Sequence, residues 1–436
     1  MNWDQLLSAE RVRELLIGEK TDRKSDEIRT EVQRDYGRAI FSTPVRRLQD
    51  KAQVFPMEPI DAVRTRLTHS LEVSSVARDM AIEIAAQLER KGVISPVQAR
   101  DIETIGATCG LIHDLGNPPF GHAGEQAIQS WFKDNADFVN GLPDQYRQDL
   151  DLFEGNAQTI RLISKLQVLS DRFGLNFTAA TFSAAAKYSA SSTEVDPDSE
   201  KVRLKKLGYF QSESEVVNIV REKTGTGERR NPVTLIVEAA DDIVYSVVDL
   251  EDAIKKGVIR WDEIEDILEQ SIDSVGEELL GRTSRAARAK IQKASVILDG
   301  QGKDEGISQY FRTFTIGFAV PAVCQKFIQE YDAIMKGEFE KELLYETSAG
   351  ALYKILKNEI GRKRVYQAKA TLRLEVLGRN VIHDLMKIFW RPTTQPNPAH
   401  SPGKYTDSCP AITDPFLKIR TTNTGVIYQL HIRRPF

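Results

Sequence analysis

The segment GLIHDLGNPPFGHAGE, residues 110–125, contains two of the six histidines of the chain. His113 is followed directly by Asp114, and a neutral imidazole with a carboxylate suits divalent ions such as Mn, Fe, Co, Ni, Zn or Mg. Neighbouring residues of a helix point about 100° apart, so both side chains can face one point only near a helix end or in a cleft. The pair therefore predicts half of a cation site near a helix end.

The second histidine of this segment has a carboxylate one turn further along the chain. His122 and Glu125 are three residues apart, so their side chains share one face of the helix that restarts after Pro118 and Pro119. A carboxylate bonded to an imidazole raises its basicity and orients it for acid–base work. The alternative is a helix-start pair that only complements the helix dipole.

Two ligands do not make a metal site, and His69 and Asp241 are candidates to complete it from other helices. The alternative for each is a surface or capping role, because an isolated His-Asp dipeptide is a weak motif. The fold decides between these interpretations, since only a particular helix packing brings the four side chains together.

Helical periodicity dominates the elements that must position these residues. It predicts helices over 68–92, 95–116, from 121 onward and over 231–257, with Thr68 as the N-cap of the first. Strand-like alternation is scarce, so the predicted class is all-α with a small irregular or β insertion. Residues 189–203 are small, polar and charged, which indicates a flexible excursion, and the proline-rich sequence from Trp390 onward predicts an irregular tail.

Composition narrows the class of protein. The chain has 436 residues, a net charge of −4 and three distant cysteines without a CxxC pair, which favours a reducing compartment. No apolar run approaches the roughly 20 residues of a membrane span, and the N-terminus lacks a signal-peptide core, so we expect a soluble cytoplasmic protein with no membrane partner. The absence of a glycine-rich phosphate loop argues against a P-loop NTPase.

The ordered segments RTRLTHSLEV, GLIHDLGNPPFGHAGE and EAADDIVYSVVDLED resemble the HD superfamily of metal-dependent phosphohydrolases. More narrowly, with FSTPVRRLQDKAQVFP and FEGNAQTIRL, they resemble its deoxyguanosine-triphosphate triphosphohydrolase (dGTPase) branch. The resemblance implies a helical HD fold and one divalent metal ion, Mg, Mn or another transition metal such as Fe, Co or Ni. It also implies hydrolysis of a deoxynucleoside triphosphate, dGTP first, at the α-phosphate to deoxynucleoside and tripolyphosphate.

The resemblance assigns roles to particular residues. It implies metal ligation by His69, His113, Asp114 and Asp241, and catalysis by His122 and Glu125. Asp241 is preferred over its neighbour Asp242 because Tyr245 and Asp249 then follow at i+4 and i+8 on one helix face. Asp242 is expected to turn towards solvent or an ion pair.

The substrate side follows from the same resemblance. It implies phosphate contacts from basic and phenolic side chains and sugar contacts from residues on two segments. The phosphate set is Arg66, Lys187, Tyr188 and one of Lys205 or Lys206, and the sugar set is Gln53, Val54, Tyr245 and Asp249. Exclusion of a ribose 2′-hydroxyl from such a pocket favours deoxynucleotides.

We predict an N-terminal helical segment at 1–35, an HD core at 36–255 with an insertion at about 135–230, a helical region at 256–389 and an irregular tail at 390–436.

The resemblance further implies a homo-oligomer, a dimer-based tetramer or hexamer, with single-stranded DNA or a nucleotide as effector. Two alternatives stay open: an HD phosphohydrolase of another nucleotide, and a nucleic-acid-binding regulatory relative with weak activity. The family motif D-[YF]-[IV]-[SA]-G-M-T-D is absent after residue 389.

Overall fold

The computed structural model describes residues 1–20, 28–57, 60–166, 173–293 and 300–394. The predicted tail therefore lies outside the described residues from position 395 onward. Within the described ranges, the only β contacts are three isolated bridges, Arg11 with Thr178, Ala52 with Thr65 and Ala190 with Leu207. The all-α class is confirmed, and the described residues of the predicted insertion form helices and turns rather than strands.

The α-helices of the described residues are, in chain order, α1 (Trp3–Leu6), α2 (Val12–Ile17), α3 (Glu31–Ile40), α4 (Thr43–Arg47), α5 (Arg66–Arg90), α6 (Pro96–Ile112), α7 (Gly121–Asp134), α8 (Asp144–Asp151), α9 (Gly155–Ser164), α10 (Ala179–Ala185), α11 (Ser214–Thr224), α12 (Pro232–Lys255), α13 (Trp261–Gln270), α14 (Ile272–Val275), α15 (Glu277–Arg282), α16 (Ser284–Gln292), α17 (Gly300–Gln329), α18 (Tyr331–Lys336), α19 (Gly350–Ile355) and α20 (Lys369–Thr394). Short 3₁₀ turns span Leu48–Asp50, Ala136–Phe138, Val202–Leu204, Gln211–Glu213 and Leu344–Glu346. A π-helical segment spans Leu356–Val365. None of the described helices is both long and apolar enough to cross a membrane.

Three helices form the centre of the molecule and carry the candidate ligands. Helix α5 packs along α6, and both contact α12, which is buried over most of its circumference as expected for a core helix. The close approach of α5 to α6 depends on Gly110, because a Cβ there would lie 2.7 Å from Ser74 Cα. Helix α17 also packs against α12 and α5. The packing thus brings segments more than a hundred residues apart into contact.

Helix ends follow the predicted capping chemistry with two shifts. Ser95 caps α6 and Asn231 caps α12, each with a proline in the first turn. The start of α5 was predicted wrongly: Thr65 is its N-cap, because the Thr65 hydroxyl accepts from the backbone N–H of Thr68. Helix α6 ends at Ile112 rather than at Gly116, which places His113 and the following residues just beyond the helix end.

The predicted excursion at 189–203 is irregular, and most residues of 193–201 are exposed, but its first residues pack against the protein. Ser189, Ala190 and Ser192 are buried, and the Ser192 hydroxyl donates to Gln145 O at 3.2 Å. Helix α20 continues to Thr394, so the predicted start of the irregular tail at 390 was too early by five residues. The proposed domain boundaries stay a prediction, since one continuous hydrophobic core includes residues from Trp3 to Val365.

Candidate active site

The end of α6 delivers the first two predicted ligands. His113 Nδ1 donates to the Gly110 carbonyl at 2.8 Å, which leaves Nε2 as the ring atom that faces inward. That Nε2 is buried and has no hydrogen-bond partner among the described residues. It lies 3.6 Å from Asp114 Oδ2, so the dipeptide presents a nitrogen and an oxygen to one point.

Helices α5 and α12 bring the other two predicted ligands to the same point. Asp241 Oδ1 lies 3.1 Å from His69 Nε2 and 3.4 Å from His113 Nε2. One ligand atom from each of His69, His113 and Asp114 falls within 4.8 Å of the other two. We call these four residues, His69, His113, Asp114 and Asp241, the metal corner.

The electrostatics of the metal corner fit a divalent cation. Burial lowers the pKa of His113, but the carboxylates of Asp114 and Asp241 outweigh burial and raise that pKa to about 9. Burial raises the pKa of Asp241, yet the two imidazoles hold it well below its usual range. Two ionised carboxylates and an unpartnered ring nitrogen form a nitrogen–oxygen donor set of the kind that transition metals and magnesium prefer.

Both oxygens of Asp114 are held by neighbouring donors. Asn117 Nδ2 donates to Asp114 Oδ1 at 2.5 Å, and the buried guanidinium of Arg66 forms an ion pair with Asp114 Oδ2. Arg66, predicted as a phosphate contact, thus lies against a ligand of the metal corner. Its Nη2 also lies close to the start of α7, 2.7 Å from where a Cβ of Gly121 would stand.

The predicted acid–base pair forms at the start of α7. His122 Nδ1 donates to Glu125 Oε2 at 2.7 Å, and Glu125 Oε1 accepts from the Gly155 N–H at 2.8 Å. Because of this hydrogen bond to Glu125, the pKa of His122 is raised. The side chain of Glu125 is 5% exposed whereas that of His122 is 79% exposed, so an anchored carboxylate orients an imidazole that solvent or a substrate can reach.

The acid–base pair and the metal corner meet at Gly155, which opens α9. A Cβ on Gly155 would collide with Asn117 Oδ1 and would lie 2.8 Å from Glu125 Oε1. Asn117 bonds to Asp114 and Glu125 bonds to His122, so the two functional groups approach each other over this glycine. The turn between α6 and α7 therefore brings Asn117 and Glu125 to the same glycine.

The three lysines that were predicted to contact phosphates have different neighbours. Lys206 Nζ lies 3.0 Å from Glu154 Oε2, next to the glycine that supports Glu125. Lys187 Nζ lies 3.8 Å from the buried Glu238 Oε1 and 5.9 Å from the centre of the Tyr188 ring. Lys205 instead lines an open groove that Lys357 also lines. Of the two neighbouring lysines, the structure therefore places Lys206 near the acid–base pair.

The predicted sugar contacts on α12, Tyr245 and Asp249, lie against residues of a distant segment that the sequence analysis did not identify. Tyr366 donates its hydroxyl to Asp249 Oδ2 at 2.7 Å, and Lys357 Nζ lies 5.6 Å from the centre of the Tyr245 ring. We call Tyr245, Asp249, Lys357 and Tyr366 the sugar-side cluster. No sequence motif marks Lys357 or Tyr366. In the structure they lie within and directly after the π-helical segment Leu356–Val365, a conformation that occurs frequently at functional sites.

Asp242 takes the ion-pair alternative. It is buried, and its Oδ1 lies 3.4 Å from Lys357 Nζ.

Gln53 and Val54, the other predicted sugar contacts, lie on the segment that precedes α5. Gln53 Oε1 is buried without a partner among the described residues, and Val54 packs against the core. Among the described residues, no hydrogen bond joins Gln53 to the sugar-side cluster.

The fold and the metal corner define a hydrolase of the HD class, and residues 66–167 match the HD domain family. The chain is similar to a deoxyguanosinetriphosphate triphosphohydrolase-like protein of Listeria monocytogenes, with 36% identity over 89% of this chain and 83% of the relative. It is 35% identical to a deoxyguanosinetriphosphate triphosphohydrolase of Serratia proteamaculans over 81% of this chain and 75% of that protein. A Klebsiella pneumoniae protein of the same name is 34% identical over the same shares. The chain therefore belongs to the deoxyguanosinetriphosphate triphosphohydrolase family and is an enzyme.

Proposed function

We propose that this enzyme hydrolyses deoxynucleoside triphosphates, dGTP first, at the α-phosphorus and releases a deoxynucleoside and intact tripolyphosphate. The proposal is supported by the cluster of His69, His113 and Asp114, whose ligand atoms lie within 4.8 Å of one another. Asp241 Oδ1 lies 3.1 Å from His69 Nε2 and 3.4 Å from His113 Nε2, and His122 is hydrogen-bonded to Glu125. The names of the relatives support the substrate class. Cleavage at the α-phosphorus agrees with the resemblance on which the sequence analysis rests.

The metal corner is the proposed site of one divalent cation. His69, His113, Asp114 and Asp241 would hold it, and the buried unpartnered Nε2 of His113 supports this assignment. Mg, Mn or another transition metal such as Fe, Co or Ni suits this donor set. When bound, the ion supplies Lewis acidity towards the α-phosphate oxygens.

We assign the proton of the reaction to His122. Hydrolysis at the α-phosphorus forms a bond from the water oxygen to phosphorus and breaks the bond from phosphorus to the 5′ oxygen. One proton therefore passes from the water to the departing 5′ oxygen. The exposed imidazole of His122 can carry that proton, because Glu125 fixes its orientation and raises its pKa.

The surrounding cations and the sugar-side cluster complete the proposed substrate site. Lys187, Tyr188 and Lys206 are proposed to hold phosphates, with Arg66 between Asp114 and α7. Gln53, Val54, Tyr245 and Asp249 are proposed to contact the deoxyribose, and a closed pocket there rejects a ribose 2′-hydroxyl. Assembly into a homo-oligomer, with a nucleotide or single-stranded DNA as effector, stays a prediction.

The experiment is product identification with the purified protein, dGTP and Mg²⁺ or Mn²⁺, by ion chromatography. We expect tripolyphosphate and deoxyguanosine in equal amounts. In H₂¹⁸O, the label is expected in tripolyphosphate and not in deoxyguanosine, because the water attacks phosphorus. Orthophosphate or pyrophosphate as the first product would reject the proposal.

Parallel assays separate the two alternatives. Turnover of a different nucleotide, with dNTPs untouched, would favour another HD phosphohydrolase. Salt-dependent retention on single-stranded DNA without any dNTP turnover would favour the nucleic-acid-binding relative.

A further inference from the structure

Lys51 joins two parts of the candidate active site although it was not among the predicted site residues. Its Nζ donates to the Leu115 carbonyl at 3.1 Å and to the Asn117 carbonyl at 2.7 Å. Its own backbone carbonyl accepts from the Arg66 N–H at 2.9 Å, at the first residue of α5. One residue thus ties the start of the helix that carries His69 to the turn that follows Asp114.

The two carbonyls that Lys51 binds belong to the connecting turn, residues Leu115–Phe120, between the metal corner and the acid–base pair. Carbonyls beyond a helix end lack partners within the helix and need an outside donor. A lysine near a helix C-terminus often has this role on a protein surface. Here the lysine is partly buried instead, and this desolvation, with Arg66 and Arg47 nearby, lowers the pKa of Lys51 to about 8.

The connecting turn acts on the reacting groups through Asn117. The backbone N–H of Asn117 donates to the Asp114 carbonyl at 3.2 Å, and its side chain donates to Asp114 Oδ1 at 2.5 Å. The same side chain lies against Gly155, which donates to Glu125. A shift of Asn117 would therefore move a metal ligand and disturb the support of the acid–base pair together.

We propose that Lys51 is a positioning residue that fixes the connecting turn, and through Asn117 sets the geometry of Asp114 and the distance between the metal corner and the acid–base pair. Lys51 touches neither the proposed cation nor the reacting atoms. The inference rests on the proposed function, because it assigns a role within that reaction.

The test compares Lys51→Met with Lys51→Arg, with Asn117→Ala and with the double variant. Lys91→Met is the matched control, since Lys91 is exposed at the far end of α5. Mn²⁺ affinity is measured without nucleotide by isothermal titration calorimetry, and kcat and KM are measured with dGTP. Thermal unfolding of each variant shows that it is folded at the assay temperature.

For Lys51→Met we expect a loss of Mn²⁺ affinity and of kcat of at least about tenfold each, as for other residues that orient metal ligands. The KM for dGTP should stay within about threefold, because no substrate contact is lost. Lys51→Arg should recover most of both losses. The double variant should be little worse than Asn117→Ala, because both changes act through one turn.

Two outcomes would overturn the inference. Mn²⁺ affinity and kcat of Lys51→Met equal to those of Lys91→Met would show that the turn needs no such support. A raised KM with unchanged kcat and Mn²⁺ affinity would make Lys51 a substrate contact instead. Failure of the proposed function is distinguishable, because the wild-type protein would then release no tripolyphosphate.

Discussion

Helix α12 carries acidic side chains into two environments that treat them in opposite ways. Asp241 lies in the metal corner, where His69 and His113 outweigh burial and hold its pKa well below the usual range. Asp249, two turns further along, lies in the sugar-side cluster, where burial outweighs the hydrogen bond from Tyr366 and raises its pKa to about 7. One helix therefore carries a carboxyl group whose pKa two imidazoles lower and a second one that accepts a hydrogen bond from the Tyr366 hydroxyl.

The difference shows that the partners of a buried carboxylate decide its role. Burial favours the neutral acid at both positions. In the metal corner, interactions with Arg66 and the imidazoles outweigh burial and lower the pKa values of Asp114 and Asp241. Asp242 supports this interpretation, because burial raises its pKa to about 7 in spite of the nearby Lys357. The two neighbouring aspartates of α12 are thus distinguished by their surroundings.

The largest effect is expected when the carboxylate of Asp241 is removed, and the comparison with Asp242 tests which of the two aspartates binds the cation. We expect Asp241→Ala to abolish measurable Mn²⁺ binding and to lower kcat for dGTP by at least about 10³-fold, since a bound cation is worth several kcal/mol to the transition state. Calorimetry with Mn²⁺ and a tripolyphosphate assay give the two measurements.

Asp242→Asn is the matched control, because it keeps the shape of the adjacent buried side chain. It should bind Mn²⁺ within about threefold of the wild-type protein. His122→Ala should bind Mn²⁺ normally but lose turnover. The assignment of Asp241 is wrong if Asp242→Asn loses the ion and Asp241→Ala keeps it.

A smaller effect is expected at the acid–base pair, with a direction set by its pKa. Glu125 raises the pKa of His122, so Glu125→Gln should lower it, and His122 should lose its proton at lower pH. The limb of the kcat–pH profile that reports His122 should therefore move to lower pH, with a fall in kcat of about 10- to 100-fold. Rate measurements between pH 5 and 9 at saturating dGTP test this.

The buried carboxamide introduced by Glu125→Gln can still accept from the Gly155 N–H, so the fold of the turn is retained. Mn²⁺ affinity should be nearly unchanged, which separates this variant from those of the metal corner. If this limb of the kcat–pH profile stays at the same pH in Glu125→Gln, a different group carries the proton.

The smallest effect is expected at Tyr366, and it tests whether the sugar-side cluster contacts the substrate. Tyr366→Phe removes the hydroxyl that donates to Asp249, and the pKa of Asp249 should then rise further above 7. At pH 7.5 more of the carboxyl would be protonated, so the KM for dGTP should increase about tenfold, equivalent to ~1.4 kcal/mol, with little change in Mn²⁺ affinity. Tyr310→Phe, at a partly buried tyrosine of α17, is the control. An unchanged KM would remove Tyr366 from the substrate site.

The His113–Asp114 half of the metal corner and the acid–base pair could be predicted because their signals are local, whereas His69 and Asp241 were assigned by the family resemblance. The His113–Asp114 dipeptide, the glycine and prolines after it and the i, i+3 spacing of His122 and Glu125 are short-range patterns. Helix periodicity likewise predicted α5, α6, α7 and α12. The errors lay at helix ends, and at the start of α5 two threonines could each have been the N-cap. Thr65 replaced Thr68 in this way.

The contacts that could not be predicted are those made by flexible side chains from distant segments. Lys205 and Lys206 are adjacent in the sequence, and only the packing of the insertion separates them into the groove and the neighbourhood of Glu154. Arg66 shares the helix face of His69 as predicted, but its guanidinium reaches Asp114 because α6 ends against it.

By itself, the amino-acid sequence determined which residues can bind a cation and move a proton, because side-chain chemistry and helical spacing are properties of short segments. Tertiary structure alone decided that Tyr366 supports Asp249, that Lys357 neutralises Asp242 and that Lys51 holds the turn after Asp114. These pairings depend on the close packing of elements separated by up to 117 positions, which no local pattern encodes.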